Sequence, residues 1–272
     1  MLSTEDTLLW CERLLGLAVF LQSIELLQLR GAMSARGVWQ WALIRSELRG
    51  VPAILRRAFD QLLEYPNVVG LISAQLAAAG TILILPPTHR HWLPLFVIFT
   101  STVLIAIRFR GTFNGGSDYM TTLVALMLLI ARLFPLHSTV AAACLYYIAV
   151  QTCLSYFVAG IVKIRNTEWH TGSVLPRFLN TPRYAAPSTI RSALSGPSAS
   201  VAASWGVMVF ECAFPAALFS PRLATALISA AFLFHLTNVF VFGLNRFLFA
   251  WMSTYPAVYW ASLHILTPGL SL

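Results

Sequence analysis

The feature that most constrains this chain is the number of long apolar stretches along it. A helix needs roughly 20 mostly apolar residues to cross a lipid bilayer, and several stretches here meet that length. Only 10% of the residues are charged, whereas soluble domains usually carry roughly 25%. The sequence therefore predicts an all-α, polytopic integral membrane protein and excludes a soluble domain with a very apolar core.

We predict about eight transmembrane helices in one domain that covers residues 1–272. The predicted spans lie at about 8–29, 66–86, 92–109, 118–135, 138–163, 199–219, 222–244 and 247–267. The arginine-rich segment 30–64 contains VPAILRRAFDQLLEY, whose apolar residues recur on one helical side. This pattern predicts an amphipathic helix in the membrane interface. The stretch 164–198 is too polar to span, so we expect it to form a loop or interfacial cap.

The net charge of +8 comes from basic residues in the segments between apolar stretches. That distribution is typical of membrane topology and of contact with lipid headgroups. With no nucleic-acid motif in the chain, we expect membrane lipid as a partner and no nucleic acid. The odd-numbered loops, including the one after Lys163, carry most of the arginines, and the positive-inside rule places that face in the cytoplasm.

The cysteines and histidines predict neither a disulfide framework nor a metal site. The four cysteines all lie in apolar stretches and form no CxxC pair: Cys11, Cys144, Cys153 and Cys212. They are typical of buried thiols. No two histidines have metal-ligand spacing on one helix. The acidic N-terminus, MLSTEDT, lacks the basic start of a signal peptide, so we expect no cleavage.

One lysine stands out because 17 of the 18 basic residues are arginine. Lys163 ends an apolar stretch, where a neutral amine can act as a base in a way that arginine cannot. The alternative is an interfacial cation whose stem lies along apolar surface. Tyr156 and Gly160 share its helix side, and Gly160 would allow another backbone or a ligand to approach closely.

Two later apolar stretches also carry ionisable side chains far from their ends. Glu211 lies in VMVFECAFPAAL, and His235 shares a helix side with Asn238 three residues later. Ionisable groups at membrane depth are costly and are usually functional. The alternative, which the sequence leaves open, is a structural hydrogen bond between helices.

The loop RFRGTFNGGSDYM lies on the same predicted face as Lys163. Gly115 and Gly116 follow Asn114 and permit unusual backbone angles, while Ser117 and Asp118 suit the start of a helix. Free N–H groups at such a start favour an anion. The other interpretation is a tight turn between helices with a good cap.

These segments together resemble the HTTM (horizontally transferred transmembrane) domain family, which is related to the membrane part of vitamin K-dependent gamma-carboxylases. YFVAGIVKIRNTEWHTG, which contains Lys163 and Trp169, carries the most specific part of the likeness. FNGGSDYM, Glu211, FHLTNVFVFGLNRF and the Glu12–Arg13 pair are similar to other family patterns. The chain also resembles the bacterial sporulation-delaying protein B group, whose members help to mature a secreted peptide toxin.

The resemblance implies that Lys163 is a base acting on a reduced, vitamin K-like quinone in a bacterial cytoplasmic membrane. It also implies that the turn from Asn114 to Asp118 lines the site and that His235 assists. The 272 residues hold no large extramembrane domain of the carboxylase kind, so carboxylation of a peptide is left open. A non-enzymatic partner in peptide maturation remains the alternative. The family's site faces away from the cytoplasm, opposite to the arginine distribution, so orientation is open too.

Overall fold

A computed structural model describes residues 2–86, 91–109, 116–135, 138–181 and 186–265. Every regular element in these ranges is a helix, which confirms the predicted all-α fold class. Within the described ranges, three short 3₁₀ helices, Arg30–Met33, Ser46–Gly50 and Phe214–Phe219, accompany the α-helices. The α-helices are α1 Thr4–Gln28, α2 Trp41–Arg45, α3 Ala53–Leu63, α4 Asn67–Ile84, α5 Trp92–Arg108, α6 Gly116–Leu133, α7 Thr139–Ile164, α8 Thr167–His170, α9 Val174–Leu179, α10 Ser188–Leu194, α11 Pro197–Ala213, α12 Pro221–Phe242, α13 Asn245–Met252 and α14 Tyr255–His264.

Six helices in the described ranges are long and apolar enough to cross a membrane, so the chain is a multi-pass membrane protein. They are α1, α4, α6, α7, α12, and α11 with the 3₁₀ helix that continues it. The predicted count of eight is not confirmed. Helix α5 has only 17 residues, and the predicted span 247–267 contains two short helices, α13 and α14. Pro256 cannot donate a backbone hydrogen bond to the carbonyl group four residues earlier, and the hydroxyls of Ser253 and Thr254 donate to nearby carbonyls at this break.

The chain divides into two compact units. The N-terminal unit is Thr4–Cys144, and the C-terminal unit is Leu145–Leu272 together with residues 1–3. In the N-terminal unit, α1 packs on α4, and α5 packs on α4 and α6. Gly16 marks the close crossing of α1 and α4, because an added Cβ would lie 3.1 Å from Ile82 Cγ2 and 3.4 Å from the Ala79 carbonyl oxygen.

A buried ion pair joins α1 to α6 in the N-terminal unit. Arg132 donates from Nε and Nη2 to the two carboxylate oxygens of Glu12, with the second contact at 2.9 Å. His91 Nδ1, just before α5, lies 3.1 Å from the same carboxylate. The carboxylate of Glu12 is fully buried and so has three nitrogen partners in place of water.

The arginine-rich segment 30–64 folds back on itself and contains the predicted amphipathic helix, α3. Trp41, Ile44 and Leu63 form its small apolar core. Arg108 of α5 holds the segment in place by donating to three carbonyl groups: those of Leu63, Trp39 and Met33. Leucine and isoleucine side chains on α3 are exposed, as expected of a helix at a membrane surface.

The C-terminal unit contains most of α7 and the helices that follow it. Helix α12 packs on Phe214–Phe219, α13 and α14, while α11 packs on α8, α9 and α10. Large apolar side chains on α11 and α12, among them Val209, Leu233 and Phe240, are exposed. Since soluble proteins rarely expose contiguous apolar surface, these side chains suit contact with lipid.

Candidate functional site

The only lysine of the chain forms an ion pair with the acidic residue of α11. Lys163 Nζ, in the last turn of α7, donates to the Glu211 carboxylate oxygens at 2.7 and 2.6 Å. The Glu211 side chain is 4% exposed, whereas that of Lys163 is 19% exposed. The sequence indicated both residues as candidates, and the structure brings them into direct contact.

Gly160 explains how two charged side chains so far apart in sequence can meet. A Cβ atom at this position would lie 2.6 Å from Cys212 Sγ and 2.9 Å from the Cys212 backbone nitrogen. Real Cβ atoms do not come that close to other heavy atoms, so only glycine allows α7 and α11 to approach here. The contact places Lys163, one turn later, beside Glu211.

The Lys163 side chain also lines a cavity of about 440 Å³ within the C-terminal unit. Besides Lys163, polar atoms in the lining side chains belong to Trp169, Thr237 and Asn238. The rest of the wall is aliphatic and aromatic: among others Leu175, Phe178, Leu179, Phe234, Val241 and Phe242. Small-molecule sites typically have this composition, with an apolar wall and a few polar groups that fix orientation.

Trp169 covers one side of the lysine amine. Lys163 Nζ lies 5.3 Å from the centroid of the Trp169 ring, within the range of a cation–π contact. The Asn166 side chain caps the short helix α8 by accepting a hydrogen bond from the Glu168 backbone N–H at 3.0 Å. This cap helps to fix Trp169 in the turn that follows α7.

The loop after α8 is tied to the start of α11. Gly172 has a left-handed φ of 71°, and an added Cβ would lie 2.6 Å from the Val201 backbone nitrogen. Ser200 Oγ donates a hydrogen bond to the Gly172 carbonyl oxygen. The polar stretch therefore packs onto a spanning helix and closes one side of the cavity.

A chain of aromatic and imidazole groups lies deeper in the same unit. Tyr156 OH is 2.8 Å from His235 Nε2 and 3.2 Å from Tyr255 OH. The His235 ring centroid lies 5.3 Å from that of Trp251. Among the described residues, His235 Nδ1 and Trp251 Nε1 have no hydrogen-bond partner although both are buried.

His235 does not line the cavity itself, but its helix neighbours Phe234 and Asn238 do. Gly243, with a left-handed φ of 68°, ends α12 and turns the chain so that Leu244 also reaches the wall. The structure thus brings Tyr156, Gly160, Lys163 and other candidates of the C-terminal unit into one region: Trp169, Glu211, His235 and Asn238.

The described part of the predicted turn, Gly116 to Asp118, belongs to the N-terminal unit. Asn114 and Gly115 lie outside the described residues. Gly116, Ser117 and Asp118 form the first turn of α6 in the N-terminal unit, where Ser117 and Asp118 are buried. The partial positive charge at the N-terminus of a helix favours an acidic side chain in the first turn. Their role in binding a ligand stays a prediction.

Sequence reasoning missed the walls of the cavity. The stretch 164–198 was expected to be a loop or cap, yet α9 and α10 contribute Phe178, Leu179 and Ile190 to the wall. The signal was present in VLPRFL, a six-residue helix in which Arg177 is the one charged residue among apolar ones. The pairing of Lys163 with Glu211 also had a signal, since opposite charges in apolar helices usually pair.

With this geometry established, comparison with known families decides the assignment. The family model of the HTTM domain matches residues 119–262, which is just over half of the chain. This chain belongs to the HTTM domain family. Comparison with curated proteins and with solved structures finds no match. The HTTM match runs from α6 to α14 and includes both members of the Lys163–Glu211 pair.

Proposed function

We propose that this HTTM protein is a membrane enzyme that removes a proton from a hydroxyl group of a lipid-soluble, quinol-like substrate. The observation that carries the proposal is that Lys163, paired with Glu211, is one of the few polar residues lining an otherwise apolar cavity. A volume of about 440 Å³ is within the range of small-molecule sites, roughly 300–1,000 Å³. Apolar walls suit a ring and hydrocarbon tail.

The pair offers a route for the proton that leaves no isolated charge. Glu211 accepts a proton from the Lys163 ammonium, and the neutral amine then accepts the proton of the substrate hydroxyl. Lys163 is again an ammonium, Glu211 is a neutral acid, and the negative charge has moved to the substrate oxygen. One ion pair replaces another, so the low-dielectric surroundings never hold an unpaired charge.

The neighbouring side chains support the orientation of such a substrate. Trp169 lies against the amine and offers a flat face to an aromatic ring. Thr237 and Asn238 can hydrogen-bond a second polar group of the ring. Resemblance to the carboxylases implies that oxygen then oxidises the deprotonated substrate. We propose that this oxidation is coupled to the modification of a small peptide and that the protein lies in a bacterial cytoplasmic membrane.

A second candidate function is a non-enzymatic membrane partner in peptide toxin maturation, as in the sporulation-delaying protein B group. The observation that favours it is the completeness of the ion pair. Lys163 Nζ donates to both Glu211 oxygens and lies 3.5 Å from the Ala159 carbonyl oxygen, as a purely structural lysine would.

The test uses the purified full chain in nanodiscs, with wild type, Lys163→Ala and Arg165→Ala compared. A reduced quinone is added without oxygen, oxygen is admitted, and quinol loss and epoxide formation are followed. We expect turnover by wild type and by Arg165→Ala, because Arg165 is an exposed cation two residues away. Turnover should be absent in Lys163→Ala.

Equal turnover by Lys163→Ala would overturn the role of the lysine. No turnover by wild type above empty nanodiscs would overturn the quinol proposal and favour the partner function. Co-purification of a membrane or peptide partner with the full chain is the matching test of that second function.

A further inference from the structure

A second cavity lies in the arginine-rich segment of the N-terminal unit and has a different character from the first. It has a volume of about 400 Å³, and its walls are Ala42, Arg45, Ser46, Arg49 and Arg56. The three arginines come from three different elements: the end of α2, the 3₁₀ helix Ser46–Gly50, and α3. The fold therefore gathers cations that are up to 11 positions apart (45 to 56) around one concave surface.

Asp60 of α3 holds this arrangement together. Its carboxylate accepts a hydrogen bond from Trp41 Nε1 at 2.8 Å and from Arg45 Nη2 at 2.7 Å. The indole of Trp41 is buried in the apolar core that Trp41 and Ile44 of α2 form with Leu63 of α3. One side of the cavity is thus fixed by a side-chain network.

The cavity carries more positive charge than the protein neutralises. Arg45 is paired with Asp60, but no hydrogen bond or ion pair with described residues is formed by the guanidinium groups of Arg49 and Arg56. Glu47 and Glu64, the other acidic residues of the segment, do not line the cavity. Two guanidinium groups remain for an anion, and guanidinium forks match the oxygens of a phosphate group.

The surroundings of the cavity are apolar and exposed. Leu43 is 55% exposed, Ile54 is 78% exposed and Leu55 is 50% exposed. Each lies within two residues of a residue that lines the cavity. Exposed apolar side chains do not stabilise a free anion, but they can pack against the acyl chains of a lipid.

We propose that this cavity binds the phosphate group of an anionic phospholipid, with the acyl chains against Leu43, Ile54 and Leu55. Arg49 and Arg56 contact the phosphate, and Arg45 contributes charge while it remains paired with Asp60. Basic pockets at a membrane surface recognise anionic headgroups in this way. The site shares no residue with the Lys163 cavity and stands independently of the proposed enzyme activity.

The experiment uses the full chain in a neutral detergent and follows thermal unfolding by tryptophan fluorescence. The probes are dioctanoyl phosphatidylglycerol, dioctanoyl phosphatidylcholine and inorganic phosphate at matched ionic strength. The test variant is Arg49→Gln with Arg56→Gln. The control is Arg36→Gln with Arg57→Gln, which removes the same charge at two exposed arginines that do not line the cavity.

We expect phosphatidylglycerol to stabilise wild type and the control, with little effect of the other two probes. The test variant should bind phosphatidylglycerol about tenfold or more weakly, because it loses two charge-assisted contacts. Equal responses of test and control variants, or an equal effect of phosphatidylcholine or inorganic phosphate, would overturn the proposal. Single Arg49→Gln, at an exposed position, provides the same comparison if the double variant does not fold.

Discussion

The two units each contain a buried ion pair, and the pairs differ in ways that indicate different tasks. In the N-terminal unit, Glu12 and Arg132 have side chains that are 0% and 2% exposed. In the C-terminal unit, Lys163 is 19% exposed and lines an apolar cavity. Both pairs satisfy a carboxylate at membrane depth, and the cation of the second also lines a cavity that has space for a ligand.

The chemistry of the two cations follows the same division. Arginine stays protonated and binds a carboxylate with two parallel contacts, which suits a permanent brace between helices. Lysine can release its proton, which suits a base. A chain with 17 arginines and one lysine uses arginine at the enclosed pair and lysine at the pair beside the cavity. Under the proposed function, the surroundings separate a pair that braces two helices from a pair that reacts with a substrate.

Exchanging the cations gives the largest expected effect. Lys163→Arg keeps the charge and the contact with Glu211 but cannot supply a neutral amine, so quinol turnover should fall by about 10²–10⁴-fold. The reciprocal change, Arg132→Lys, should leave turnover near wild type while lowering the free energy of unfolding by about 1–3 kcal/mol. Turnover in nanodiscs and unfolding in mixed micelles measure the two effects. Retained turnover in Lys163→Arg would contradict the division of tasks.

Removing the acid of the enclosed pair should give the largest loss of stability. Glu12→Gln leaves the Arg132 guanidinium buried without its carboxylate, at a cost of about 3–5 kcal/mol. Glu12→Gln combined with Arg132→Met should recover part of that loss, because it removes the uncompensated charge. Unfolding by sodium dodecyl sulfate in mixed micelles measures both. A cost below about 1 kcal/mol for Glu12→Gln would show that the pair behaves as an exposed one.

Glycine positions at the helix crossings should give intermediate effects. Gly160→Ala forces a Cβ against Cys212 and separates α7 from α11, which should cost about 1–3 kcal/mol and loosen the Lys163–Glu211 contact. Gly16→Ala should cost less, since its nearest contact is the end of the Ile82 side chain. Gly206→Ala is the control, because open space surrounds that position and alanine favours a helix. Thermal unfolding of the three variants gives the order, and equal effects would contradict it.

The exposed ion pair of the interfacial segment should give the smallest effect. Burial acts to raise the pKa of Asp60, but hydrogen bonds from Arg45 and Trp41 and the charges of Arg45 and Arg56 hold it below its ordinary value of 3.8. The stability from ionised Asp60 is therefore complete above pH 3.8 and is lost as pH falls through the lower pKa of the folded state. The contribution should be below about 1 kcal/mol, because Arg45 is half exposed.

Tryptophan fluorescence during acid titration checks this expectation, because Trp41 donates to Asp60. Asp60→Asn should lack the transition that wild type shows below pH 3.8. A transition that persists unchanged in Asp60→Asn would assign it to another group.

The sequence predicted most of the fold because apolar length is a strong signal. The stretch 66–86 corresponds to α4, and 222–244 corresponds to α12, each shifted by one or two residues. The last predicted span, 247–267, does not form one continuous helix, because its run of apolar residues contains a break. Pro256, with Ser253 and Thr254 before it, divides the run into α13 and α14.

The candidate site was predictable as a set of residues but not as a geometry. Lys163, Glu211 and His235 stood out because ionisable groups are rare in apolar helices. The lysine–glutamate contact depends on how closely α7 and α11 approach, which only the fold around Gly160 reveals. The apolar wall from α9 and α10 was not predicted, because polar residues dominate the average composition of the stretch 164–198 that contains both helices.

The apolar wall of the Lys163 cavity has a consequence for how binding is measured. A ligand that suits this wall dissolves in the bilayer, so the relevant concentration is its mole fraction in lipid. Adding more lipid at a fixed amount of ligand then dilutes it, and apparent affinity in bulk units falls with no change in the protein. Titrations of this protein should therefore vary the ratio of ligand to lipid, with the aqueous volume as an inert reservoir.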